Sequence, residues 1–137
     1  MPPREVRTGF HRQRFRRRPE AVAAVRRFVG GPLTRGSEPW ETTRLLVSET
    51  VTSALDQPGG GHHEGTFEVG YTVDGDRMVV EVSDDGGPAR LRRRVQRAQS
   101  VRGRGMDLVR VLSRRWGVRE SVSGRTIWFE VDVRDNR

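Results

Sequence analysis

The chain contains no cysteine and no lysine, and only one asparagine (Asn136) and one isoleucine (Ile127). Without cysteine there are no disulfides, no thiolate zinc sites and no thiol nucleophile. Without lysine there is no P-loop lysine, no Schiff base and no lysine general base. No apolar run reaches the roughly 18 residues that a membrane-spanning helix needs. No apolar stretch follows the N-terminal arginines, so no signal peptide is expected and a cytoplasmic location is. The joint scarcity of Lys, Asn and Ile fits a GC-rich coding sequence, so part of the arginine excess reflects codon usage.

What is present is charge. All 26 basic residues are arginine, against 18 acidic ones, for a net charge of +8. That balance favours an anionic partner: nucleic acid, nucleotide or an acidic protein. A chain of 137 residues makes one domain and buries about two-thirds of its unfolded surface.

Residues 1–9 read as a basic tail and 134–137 as a second short tail, leaving 10–133 as the domain. Phe10 to Arg16 is expected as an edge strand. After Pro19, the positions of Val22, Val25, Phe28 and Val29 make one apolar helix face, ended by Gly30-Gly31-Pro32. Ser37-Glu38-Pro39 starts a second helix, expected to run to Leu55, with Leu45, Leu46, Val51, Ala54 and Leu55 available for burial. Pro58-Gly59-Gly60-Gly61 stops it. Thr66 to Val73 and Arg77 to Ser83 alternate around Asp74-Gly75-Asp76, a hairpin signature. Met106 to Arg114 is expected as a short helix, and Arg115 to Val122 and Arg125 to Val133 as a last hairpin. Between Asp84 and Gly105 lie seven arginines and little apolar content, the composition of a lid with little surface to bury. The order β α α β β, lid, α β β, with tight turns between strands, predicts an α+β fold. Its expected form is a two-layer α/β sandwich, a mostly antiparallel sheet covered on one face by helices.

Four segments are able to carry chemistry. In Leu46 to Ala54, Glu49 and Ser53 stand one turn apart on one helix face. Ser83-Asp84-Asp85-Gly86 puts a carboxylate at a strand end, then a glycine that lets a flat ligand approach. Asp84 accepts hydrogen bonds, so it suits the exocyclic amine of adenine and repels the oxygen of guanine, a contrast of about 2–3 kcal/mol. Gly103-Arg104-Gly105 before a helix offers backbone N–H groups and a positive dipole end to a phosphate. Gly124-Arg125-Thr126 places a hydroxyl at a strand edge. Each alone is also an ordinary helix edge, strand-ending turn, loop or hairpin.

In this order the four segments resemble the signature of the histidine-kinase-like ATPases, the Bergerat or GHKL superfamily. Within it they are similar to the small single-domain branch of anti-sigma-factor serine kinases and actinobacterial ATP-binding regulators. The N box resembles Leu46 to Ala54, the Asp-x-Gly box Asp84-Asp85-Gly86, the second glycine box Gly103 to Val109, and the Gly-x-Thr ending Gly124-Arg125-Thr126. Pro19 to Val29 is similar to the branch's first helix. The resemblance implies ATP or ADP, with Mg²⁺, as cofactor. It implies Glu49 as the base that activates a protein serine hydroxyl and Asp84 as the adenine-reading carboxylate, with Gly86 making room for the ring. It implies Gly103, Arg104 and Gly105 on the phosphate side and Thr126 near the base. The implied partners are a sigma factor and a STAS-type anti-anti-sigma protein, with a homodimer seam along the first strand and helix. Ser53 stands where the family has its Mg²⁺-holding asparagine, and Pro88 where a further glycine is usual. A hydroxyl is a shorter, weaker Mg²⁺ ligand than an amide oxygen, so kinase activity is expected to be reduced. The alternative is a catalytically degenerate interaction module of the same fold. No reader motif interleaves with the arginines, which argues against direct nucleic-acid binding. On sequence alone, Asp84→Ala is expected to abolish ATP binding and leave unliganded stability almost unchanged.

Overall fold

The computed structural model describes residues 9–55, 65–85, 105–121 and 124–136. The expected lid, the helix stop at Pro58-Gly59-Gly60-Gly61 and most of the basic tail lie outside these residues. Five strands and three helices follow in the expected order: β1 (His11–Arg16), α1 (Ala21–Gly30), α2 (Glu38–Leu55), β2 (Thr66–Asp74), β3 (Arg77–Asp85), α3 (Gly105–Leu112), β4 (Arg115–Ser121) and β5 (Gly124–Asp132). The strands form one antiparallel sheet in the order β1-β2-β3-β5-β4, so β1 is an edge strand. At the β2–β3 hairpin Gly75 has φ 63°, a left-handed conformation that favours glycine.

Strand alternation sorts the side chains between two faces. Across the sheet Phe15 stands opposite Phe67, Val69 opposite Val82, Val80 opposite Phe129, and Val82 opposite Ile127. These residues form one buried cluster with Ala21, Val25 and Val29 of α1, Leu46, Val47 and Val51 of α2, and Val109 of α3. Phe15, Phe28, Phe67 and Tyr71 join through ring contacts at 5.0–5.9 Å, the edge and offset geometries that aromatic quadrupoles prefer.

The helices depart from expectation in detail. Ser37 Oγ accepts a hydrogen bond from Trp40 N at 3.3 Å, and Glu38 and Glu41 complement the positive end of α2. The buried stripe of α2 includes Thr43 and Thr50, and Thr50 satisfies its hydroxyl on the Leu46 carbonyl at 2.8 Å. Leu45, expected inside, is 42% exposed because the stripe turns past it. The third helix ends at Leu112 rather than Arg114. Ser113 bonds back to the Val109 carbonyl through both its N–H and its hydroxyl, and Val111 remains outside. The expected C-terminal tail is tied at one point, where Asn136 Oδ1 accepts the Thr34 N–H.

The opposite face of the sheet is charged. Glu81 is buried and held by Arg119 at 3.0 Å and Arg12 at 3.5 Å, while Glu130 is held by Arg77 and Arg114 at 3.6 Å. Trp128 lies against Gly117, where a Cβ would stand 2.7 Å from the indole Nε1. Gly117→Ala should therefore lower unfolding free energy by about 1–3 kcal/mol through overpacking, read by urea denaturation. An unchanged midpoint would mean that the indole moves without cost.

Tyr71 provides a pH test. Burial between the His11 and Phe28 rings raises its pKa above the usual phenol range by disfavouring the phenolate. Because the folded pKa is the higher one, this contribution to stability is full below the unfolded pKa and fades as pH rises through the folded one. Tyr71 is the only tyrosine, so phenolate absorbance reports it directly. The native protein should ionise at higher pH than the urea-unfolded chain; the reverse order would contradict the packing.

Candidate functional site

The last inward residues of the central strands form the site. Val80 and Val82 of β3 are apolar and buried, and the next residue on that face is Asp84, 5% exposed. A carboxylate in such a place needs compensation, because burial without a partner costs several kcal/mol. Arg17, just beyond β1, supplies it: its Nη1 donates to Asp84 Oδ2 at 2.8 Å, and Arg17 is itself only 3% exposed. The register explains the reach. Phe15, Phe67 and Asp84 line up across β1, β2 and β3, so Arg17, two residues past Phe15, stands on the same face. Its N–H bonds the Gly65 carbonyl, and its stem passes over Gly65, 3.6 Å from where a Cβ would sit.

The β3–β5 register sets a second relation. Asp84 faces Arg125, and Ser83 faces Thr126. Thr126 is thus on the opposite face of the sheet from Asp84, where its hydroxyl meets the Ser83 hydroxyl at 2.9 Å. The residue that shares Asp84's face is Arg125, which also lies 3.8 Å from Glu120. This separation was legible: if Ile127 and Phe129 face the core, position 125 goes with them and Thr126 goes with Trp128. Arg17 carried no comparable signal, being one of three consecutive arginines with no periodicity to single it out.

Glu49 and Ser53 sit half-buried, one turn apart on the C-terminal half of α2. Beside the N-terminal half of their turn run the buried Leu46 and Thr50. The helix packs on β3, β5 and α3, which places this pair and Asp84 on the same side of the sheet. Gly105 begins α3, and Gly86, Gly103 and Arg104 lie outside the described residues. As a hydrogen-bond acceptor at a strand end, Asp84 fits the amine of adenine in kind, since a carboxylate takes up to about four donors. A base there has to share it with Arg17. No three acidic or histidine side chains gather among the described residues; Mg²⁺ beside a nucleotide needs only one or two protein groups with phosphate oxygens and waters, and Glu49 and Ser53 are the groups that α2 offers.

The ion pair changes the outcome expected for Asp84→Ala. Removing either partner takes a 2.8 Å charge-assisted contact from the other in the interior, so Asp84→Ala and Arg17→Ala should each lower stability by about 3–5 kcal/mol in urea unfolding. The double variant should lose much less than the sum. Losses below about 1 kcal/mol in both single variants would show that the pair opens to water.

A family model for the histidine kinase-like ATPase domain matches residues 15–131. No curated protein matches the sequence. The matched span runs from the inward Phe15 of β1 to the inward Val131 of β5 and takes in both helices of the N-terminal half, the Asp84 strand end and the last hairpin. The described residues form an antiparallel five-stranded sheet with three helices, consistent with that match, and the chain belongs to the histidine kinase-like ATPase domain family.

Proposed function

We propose that this protein is an ATP-binding regulator of the anti-sigma-factor type, working in the cytoplasm as a two-layer α/β sandwich. It would control transcription by binding a sigma factor, with weak phosphorylation of a serine on a STAS-type antagonist. The observation that carries the reading is the inward carboxylate of Asp84 at the end of β3, inside a chain that belongs to a nucleotide-binding family. No helix among the described residues is long and apolar enough to cross a membrane.

In this reading Asp84 accepts the adenine amine, while Gly86, Gly103, Arg104 and Gly105 line the ring and phosphate side. ATP, when bound, supplies the phosphoryl group. Glu49 accepts the proton of an incoming serine hydroxyl, and Ser53, one turn on, contributes one neutral oxygen toward Mg²⁺. Thr126, turned to the other face, supports the site through Ser83 and the β3–β5 register. The edge strand β1 with α1 is the proposed homodimer seam. A second reading, a degenerate module of the same fold with little nucleotide use, is favoured by the Arg17 contact to Asp84 and by Ser53.

Calorimetry separates the two. ATP should bind and GTP should not, with affinity nearly indifferent to Mg²⁺. Ser53→Asn should introduce a Mg²⁺ dependence of roughly ten- to a hundredfold. Robust Mg²⁺-dependent phosphotransfer by the unaltered protein would contradict the role given to Ser53. Absence of ATP binding at millimolar concentration would leave the degenerate module.

A further inference from the structure

A groove of about 430 Å³ opens where α1 meets α2, lined by Arg26, Trp40, Glu41, Arg44, Leu45 and Ser48. Its volume is in the range of sites that hold a few side chains or a small ligand. The Arg44 guanidinium lies 4.2 Å from the centre of the Trp40 ring. The indole is braced behind by Gly30, whose missing Cβ would stand 3.1 Å from Trp40 Nε1. Leu45 contributes an apolar surface that is 42% exposed.

Arg26, Arg35 and Arg44 form no ion pair among the described residues, although most other arginines of the sheet do. Arg26 Nε is buried and meets no acceptor. Glu41, in the groove wall, is within ion-pair distance of none of the three. The pKa of Arg44 is lowered chiefly by burial and further by repulsion from Arg26 and Arg35 nearby. Gathering them costs free energy that an anion would return.

We propose that this groove docks an acidic segment of another protein, with carboxylates on Arg26 and Arg44 and an apolar side chain against Trp40 and Leu45. Charge selects this occupant over residues 87–104, which hold seven arginines and no acid, and over a second copy, which brings a net charge of +8. The planar forks of arginine suit bidentate contact with carboxylates, and the exposed leucine gives preference for an amphipathic chain over a purely anionic one. The inference goes beyond the nucleotide reading and does not rest on it.

The test uses the full chain and a fluorescein-labelled peptide with Glu and Leu at helical spacing. A counterpart with Lys in place of Glu and a DNA duplex serve as alternatives. The acidic peptide should bind saturably and weaken with salt. Arg26→Gln with Arg44→Gln should weaken it at least about tenfold, and Leu45→Asp should weaken it while leaving every arginine in place. Arg110→Gln, an exposed charge on α3, should change it less than about twofold. Thermal midpoints establish that each variant is folded, and loss of peptide-dependent quenching in Trp40→Phe gives a second readout. Equal weakening by Arg110→Gln, tighter binding of the duplex, or no saturable binding would overturn the proposal. Because the probe contains no nucleotide, each of those results leaves ATP binding to be judged on its own calorimetry.

Discussion

The register of β3 against β5 pairs Val80 with Phe129, Val82 with Ile127 and Asp84 with Arg125. One residue of slip would turn one strand over relative to the other, sending its apolar row to the charged side and its buried glutamate, Glu81 or Glu130, into the core. The helices pack on that row, so their placement depends on it. The same row ends in Asp84, so the register that builds the core also delivers a carboxylate to its rim. Core and candidate site are consecutive residues of one alternating pattern.

Arginine then sets how that rim behaves. With no lysine in the chain, the buried carboxylates of the described residues, Glu81, Asp84 and Glu130, are compensated by guanidinium, whose several donors let one acid take more than one partner. Glu81 and Glu130 each hold two arginines on the open face of the sheet, and Asp84 holds Arg17 on the helix side. The first two pairs are structural. The third lies where a nucleotide base is proposed to bind, so Arg17 both stabilises the unliganded carboxylate and competes for it. Preorganisation of Asp84 by Arg17 comes with a cost to any ligand that must displace or share it. In the proposed reading Ser53 would act in the same direction, since a hydroxyl is a weaker Mg²⁺ ligand than an amide oxygen.

Much of the fold was legible. The Asp-Gly-Asp turn, the capping serine at 37 and the alternation of β2, β3 and β5 gave the strand and helix order with ends shifted by one or two residues. Where local pattern did not decide, the reading was poorer. Leu45 is apolar yet exposed, while Thr50 is polar yet buried, because its hydroxyl bonds its own helix and then packs like a small apolar group; Thr43 is buried too, with its hydroxyl unpaired. In the site, Asp84 and the position of Glu49 and Ser53 could be read from their segments. Arg17 could not: its contact joins residues 67 apart in sequence and depends on three strands being in register. Thr126 was read by motif when strand parity already assigned it to the other face.

The central claim is that Asp84 reads adenine in a site where Arg17 is its resting partner. A crystal structure with a non-hydrolysable ATP analogue tests it most directly. The account predicts the adenine amine within roughly 2.7–3.2 Å of an Asp84 oxygen, with Arg17 sharing the carboxylate or turned from it. Adenine bound elsewhere on the protein, or an Asp84–Arg17 pair unchanged and no nucleotide present at saturating concentration, would contradict it.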